Sequence, residues 1–288
     1  LFLISNPNQA NQMSQDTGKF RKNTNDQFYT KQTVAKNCIQ HVLEQCPNAQ
    51  TYLWIEPSAG NGAFLKQVPA SFEAVGLDIE PKDSGILKHN FLDWKPATSK
   101  DCLVFGNPPF GRQSSMAKQF IKHCAEFAKL IAFILPLSFE KPSMNKVFPA
   151  NFHCIFSQRL PEKSFEINGH EYDVPCVFQI WEKKNTARQI PDAVKEAGFQ
   201  YVKSTENYDI AFRRVGVYAG KSFARGQKEF SPQSHYFIQL NAEFKPHTEK
   251  ILENMNKHQF PTNTVGPRSI SKPEANSVMN QILQNLSS

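Results

Sequence analysis

Cys102-Leu103-Val104-Phe105-Gly106-Asn107-Pro108-Pro109-Phe110-Gly111 joins a short apolar run to a stiff, polar turn. The first four residues read as a buried strand. Two consecutive prolines cannot continue a strand or donate backbone hydrogen bonds, so Asn107–Phe110 is predicted to be an exposed lip at the strand's end. The Asn107 side-chain oxygen and the Pro108 carbonyl, both held still, make a pair of acceptors suited to an exocyclic NH₂. Phe110 adds an aromatic face on which a planar amide or nucleobase can stack. The chemistry that fits is alkylation of a planar amino nitrogen. A Pro-Pro turn standing alone would more often be a plain loop, so its neighbours decide.

On both sides of this stretch, strands alternate with helices. Thr30 is placed to cap a helix carrying Val34, Ala35, Cys38, Ile39, Val42 and Leu43 at helical spacing. Tyr52–Ile55 reads as a strand, followed by the glycine-rich turn Glu56-Pro57-Ser58-Ala59-Gly60-Asn61-Gly62 and a short helix through Phe64 and Leu65. Ala74–Leu77 is a second strand ending at Asp78, and a weaker one lies near Ile86-Leu87-Lys88. After Phe110, Ser114 or Ser115 is expected to cap a helix to about Ala128, ahead of the strand Ile131–Leu135. Phe152–Phe156, a hairpin with an Asn168-Gly169 turn, and Val177–Trp181 are expected to complete a seven-stranded sheet with an antiparallel edge. This alternation indicates an open, mostly parallel α/β sheet, which binds ligands at the carboxyl ends of its strands.

The turn at Glu56–Gly62 sits at such an end, and its glycines let backbone approach a ligand closely. It is neither a GxGxxG dinucleotide turn nor a P-loop, since no Lys-Ser/Thr follows. Asp78, eighteen residues beyond Gly60 and at the end of the next strand, suits the ribose hydroxyls of a nucleoside cofactor. Arg112, just past the lip, reads equally as a phosphate contact or a solvated loop residue.

The 288 residues are 40% hydrophobic and 20% charged, the balance of a globular protein able to bury a sizeable core. No apolar run approaches the roughly 18 residues that cross a bilayer. Leu1–Ile4 is too short for a signal peptide and lacks a basic flank. The first 25 residues read as a disordered tail, and the missing initiator Met points to a trimmed or incomplete start. The six cysteines show no CxxC or Cys/His ligand spacing, so no metal site is expected. They read as reduced thiols of a cytoplasmic or nuclear protein. A net charge of +7 favours a polyanionic partner without specifying one.

Residues 183–288 are expected to form a small second domain behind a polar linker from Lys183 to Pro191. Ten Lys/Arg and five Asp/Glu lie between Lys183 and Glu229, with aromatic residues interspersed. Arg213, Arg214, Lys221, Arg225 and Lys228 read either as a phosphate-binding stripe or as a solvated basic face.

Thr30, the EPSAGNGAF run, Gly76-Leu77-Asp78-Ile79-Glu80, Asn90-Phe91-Leu92 and GNPPFG occur in this order. Over roughly residues 26–182 the chain resembles the amino-group methyltransferases that use S-adenosylmethionine (AdoMet). The order, with a variable segment last, is similar to that of the gamma-type DNA adenine-N6 methyltransferases. The resemblance implies a Rossmann-like, seven-stranded class I methyltransferase sheet over 26–182, with a smaller C-terminal target-recognition domain. It implies that Thr30 holds the cofactor's methionine carboxylate and that Glu56, Ser58, Gly60 and Gly62 line its methionine and ribose. Asp78 would then take the ribose hydroxyls, with Ile79 packing on the adenine and Phe91 forming another apolar wall. Asn107, Pro108, Pro109 and Phe110 become the catalytic lip. Phe165 would cover the other face of the target base, and nucleic acid, DNA ahead of RNA, is the implied partner. The family usually has Asp before the Phe91 position. Here Asn90 stands there, with Asp93 as a second candidate for the adenine contact. An RNA adenine-N6 methyltransferase and a nucleic-acid-binding subunit without catalysis remain alternatives; a cytosine-N4 or protein-glutamine target fits the lip or the basic segment less well.

Overall fold

The computed structural model describes residues 28–167, 169–261 and 268–287; the N-terminal tail read from the sequence lies outside them. The chain divides into two compact units, with the change at Ala193/Val194.

The first unit opens with β1 (Tyr29–Thr30), α1 (Gln32–Gln45), β2 (Leu53–Glu56), β3 (Ala74–Asp78), β4 (Leu87–Lys88) and β5 (Cys102–Gly106). It continues through α2 (Ser115–Phe127), β6 (Ala128–Pro136), α3 (Pro142–Asn145), β7 (Phe152–Arg159), β8 (Phe165–Ile167), β9 (His170–Tyr172) and β10 (Cys176–Lys183). Seven of the strands form one sheet in the order β4-β3-β2-β5-β6-β10-β7. Strands β4 to β6 are parallel, and β10 runs antiparallel to both β6 and β7. This is the Rossmann-like α/β architecture that the resemblance implied.

The antiparallel strand is not at the edge, as the sequence reading had it. It is inserted between β6 and β7. Residues Cys176–Trp181 are all buried, so β10 needs cover on both faces and a neighbour on each side, whereas β7 is largely exposed and suits an edge. The hairpin of β8 and β9 leaves the main sheet altogether and pairs with β1, Thr30 standing opposite Phe165.

Side chains alternate across the sheet. Leu103 and Phe105 of β5 join Trp54, Ala132, Ile134 and the Val34, Ala35, Cys38, Ile39 and Val42 face of α1. Val104 joins Ile55, Ile131, Phe133 and Leu135 under the Ala117, Phe120, Ile121 and Cys124 face of α2. A sheet covered on both faces explains why its central strands are continuously apolar.

Three local expectations differ. Thr30 does not cap α1, because it belongs to β1 and Lys31 precedes the helix without a side-chain cap. Ser114 precedes α2 with φ 59° and makes no side-chain cap either. The segment through Phe64 is a 3₁₀ turn, Leu65–Gln67, where a helix was read; Pro69 soon after leaves no length for one. Residues 184–193 stay with the first unit: the Lys184 amide donates to Asn151 O, and the Arg188 guanidinium donates to the carbonyls of Asn145, Phe148 and Phe152.

The second unit holds β11 (Phe199–Val202), β12 (Ile210–Arg213), β13 (Ser222–Ala224) and β14 (His235–Leu240), all antiparallel in the order β11-β14-β12-β13. Helices α4 (Thr248–Lys257) and α5 (Lys272–Ser287) complete it. Ile251, Met255, Met279 and Leu283 pack with Phe199, Ile210, Phe212, Ile238 and Leu240. Each such fully buried side chain contributes about 1.5–3 kcal/mol of transfer free energy. Among the described residues no helix is long and apolar enough to cross a membrane, and no three His, Cys, Asp or Glu side chains are grouped to hold a metal.

Candidate active site

β2 lies between β3 and β5 and runs parallel to both, so the loops leaving their carboxyl ends open side by side. A cavity forms there. Its walls include Thr30, Glu56, Ser58, Gly60, Asp78, Ile79, Asn90 and Phe91, together with Asn107, Pro108, Pro109 and Phe110. The turn, the acidic strand end and the proline lip, separate in sequence, therefore face one space.

The lip is tied down at both ends of Asn107. Its Nδ2 donates to Phe28 O at 3.2 Å, and its carbonyl accepts from the Ser58 hydroxyl at 3.1 Å. Because the NH₂ is committed to a carbonyl, the other side of the amide must be the oxygen. That Oδ1 is buried and has no hydrogen-bond partner. An unpaired buried acceptor costs about 1–3 kcal/mol, a penalty that a donor entering the cavity removes. Phe110 is packed into the core with 8% of its surface exposed, and its carbonyl accepts from the amides of Met116 and Ala117 at the start of α2. The ring on the lip is thus held by a helix end.

Across the cavity the Asp78 carboxylate accepts from Gly60 N at 2.7 Å and from Glu80 N at 2.8 Å. Each oxygen keeps a further lone pair for a hydroxyl. Gly60 adopts φ +52°, and a Cβ there would stand 3.2 Å from the Tyr29 ring, so glycine is what lets the turn close over this strand end. Ile79 is 55% exposed, an apolar side chain left uncovered on the cavity wall. The Thr30 hydroxyl oxygen is buried without a partner. Glu56 is almost fully buried, and its Oε2 accepts from Leu65 N at 2.8 Å. Burial holds its carboxyl well above the usual carboxylate range; the Leu65 bond opposes this and the charge of Asp78 adds to it.

Several expected residues stand elsewhere. Gly62 does not line the cavity; it faces Lys66 and Ile86. Asn90 lines it, but its Oδ1 accepts from Leu92 N and its Nδ2 donates to Asp93, so the pair first serves to cap the turn Phe91–Asp93. Asp93 is not among the lining residues. Phe165 is fully buried and off the cavity wall, because its strand anchors β1. The ring that lines the cavity instead is Phe28, tilted against Phe165 and stacked on Tyr172 at 5.3 Å. Sequence reasoning missed Phe28. The available signal is strand periodicity, which puts residues 28 and 30 on the same side of an extended chain.

Arg112 is exposed just beyond Phe110 and does not line the cavity. Arg213 and Arg214 belong to the second unit. Their guanidinium groups donate to Val215 O and Gln233 O, and Arg214 also lies over the Tyr236 ring.

No protein-family profile and no curated protein matches the chain. Among solved structures it is similar to a candidate RNA methyltransferase from Pyrococcus horikoshii, at 11% identity over 59% of this chain and 93% of that one, with a TM-score of 0.44. It is similar to a candidate class I S-adenosylmethionine-dependent methyltransferase from Listeria monocytogenes, at 17% identity, 60% and 66% coverage and a TM-score of 0.44. A type I restriction-modification methyltransferase subunit from Streptococcus thermophilus shares 16% identity over 91% of this chain and 58% of that one, with a TM-score of 0.42.

Proposed function

We propose that the chain is an AdoMet-dependent methyltransferase that methylates the N6 amino group of adenine in DNA. The observation that carries this reading is the partnerless Asn107 Oδ1 on a cavity shared with the Asp78 carboxylate and the uncovered Ile79. The residues fit the cofactor: the orphaned Thr30 hydroxyl suits a carboxylate, Asp78 suits two vicinal ribose hydroxyls, and Ile79 with Phe91 suits a purine face. AdoMet would supply an electrophilic methyl group on a sulfonium leaving centre.

The protein's part is to make a poor nucleophile competent. An aromatic NH₂ has its lone pair delocalised into the ring. Accepting one N–H at Asn107 Oδ1 and the other at Pro108 O draws the nitrogen toward tetrahedral geometry and frees that pair. That pair, aimed by Asn107 and Pro108, would form the new N–C bond, and AdoMet held by Thr30, Asp78 and Ile79 would supply the methyl carbon and keep the C–S bonding electrons on its sulfur. The extra proton then leaves the nitrogen to water, since neither acceptor is a base. Positioning and fixed dipoles supply most of the acceleration. Phe110 and Phe28 offer ring surface to the adenine, which in a duplex must leave the stack at a cost of a few kcal/mol. The basic segment of the second unit supports a nucleic acid, and the motif order favours DNA as the carrier of that adenine.

The test incubates the protein with tritiated AdoMet and separate pools of DNA, RNA and protein, then digests the labelled pool to nucleosides. Label in N6-methyldeoxyadenosine is the expected result. Label in RNA moves the substrate, and failure to bind AdoMet removes the reading.

A further inference from the structure

Val217 and Tyr218 stand out from the second unit, 70% and 69% exposed. They occupy the turn between β12 and β13, and that turn is rigidly built. Gly216 N donates to Arg268 O, Ala219 N to Gly216 O, Gly220 N to Arg213 O and Lys221 N to Tyr218 O, all within 2.8–3.1 Å. The Arg213 side chain braces it from within through Val215 O at 2.9 Å. Behind the exposed pair the chain turns inward: Ala219 is buried, and a Cβ on Gly220, at φ +102°, would stand 2.9 Å from the Phe260 ring. An aromatic side chain that the protein does not cover is thus presented on a turn bolted to its core.

The surroundings select the partner. From Ile210 through Lys228 the chain carries five basic residues and no acidic one. A planar ring on a turn whose flanking chain carries only cations fits a nucleobase flanked by phosphates; the ring supplies a stacking surface and the net positive charge supplies sequence-independent attraction.

We propose that the Val217-Tyr218 knob is a base-contacting element, its tyrosine ring stacking on a nucleobase of bound DNA while Lys221 meets an adjacent phosphate. This rests on the nucleic-acid reading above, though not on the methyl-transfer chemistry.

Fluorescein-labelled DNA and RNA of one sequence, titrated with the full chain at several salt concentrations, test it. Tyr218→Ala is expected to bind DNA about ten- to hundredfold more weakly with an unaltered salt slope. Tyr218→Phe keeps the ring and binds like the unmodified protein. Lys221→Ala lowers the slope by about one. All three variants should keep the far-UV circular dichroism and the thermal melting profile of the unmodified protein, which reports that the second unit, where they lie, is folded. The proposal falls if Tyr218→Ala binds DNA as tightly as the unmodified protein, if Phe is no better than Ala, if only RNA binding responds, or if neither nucleic acid binds. A Tyr218 effect on DNA without methyl transfer leaves it standing and removes the reaction instead.

Discussion

The Ser58 hydroxyl donates to the Asn107 carbonyl across 3.1 Å, joining the turn after β2 to the lip after β5. The two segments are 49 residues apart in sequence and carry the two halves of the proposed reaction. In the proposed reaction this bond would hold the methyl-donor and acceptor subsites in register, and near-attack geometry is sensitive to small displacements. Ser58→Ala removes one neutral hydrogen bond worth about 0.5–1.5 kcal/mol, so kcat should fall about two- to tenfold. AdoMet Kd should move less than kcat. A loss confined to Kd would show that the bond serves the cofactor alone.

Asn107→Ala should lower kcat by about 10²–10³-fold, the scale on which a preorganised polar group aimed at a reacting centre contributes. AdoMet Kd, measured by isothermal titration, should stay nearly constant, because Asn107 bonds only to Phe28 O and Ser58 within the protein. Asn107→Asp keeps an oxygen acceptor but loses the donor to Phe28 O, and should recover part of the rate. Retention of most of the rate by the alanine variant would remove Asn107 from the chemistry.

Glu56 is expected to make AdoMet binding pH-dependent. Burial keeps its carboxyl protonated above the usual carboxylate range, and a cation entering the cavity favours the ionised form. Binding AdoMet should therefore expel a proton, and affinity should rise with pH as pH climbs toward the raised value. Stability without ligand runs the opposite way. Between the ordinary carboxylate range of the unfolded chain and the raised folded value, the unfolded chain has ionised while the folded chain still holds its proton, so stability falls as pH rises. Titrations in buffers of different ionisation enthalpy count the released proton. Glu56→Gln should abolish the release and flatten both dependences.

The strand alternation and the motif-bearing loops were legible because each relies on local signals, apolar runs closed by Gly, Pro or Asp. The place of β10 was not. Burial along Cys176–Trp181 says that the strand is interior, but which strands flank it is settled by long-range pairing with Ala128–Pro136 and Phe152–Arg159. The same holds at the site. Phe165 and Phe28 are both plausible rings in a chain with 24 Phe, and only the pairing of β1 with β8 decides which is buried and which lines the cavity. Asn90 was legible as a departure from the family pattern, whereas its bonds to Leu92 and Asp93 were not.

Gly106 ends β5 at φ +124°, a conformation that a side chain strongly disfavours. A Cβ there would stand 3.2 Å from Glu56 Cγ and 3.5 Å from its Oε1. Glu56 cannot retreat cheaply, since it is buried and bonded to Leu65 N. Gly106→Ala should therefore combine backbone strain with a steric push, destabilising the protein by about 1–3 kcal/mol. For a chain of this size that lowers Tm by about 2–10 °C. The push acts on a residue of the cavity wall, so AdoMet affinity should fall as well. On the Glu56→Ala background, which opens space for the methyl group, Gly106→Ala should cost less Tm than it does in the unmodified protein, the backbone strain being what remains. If the two losses simply add, the contact with Glu56 is not what makes glycine necessary here, and the φ value alone accounts for it.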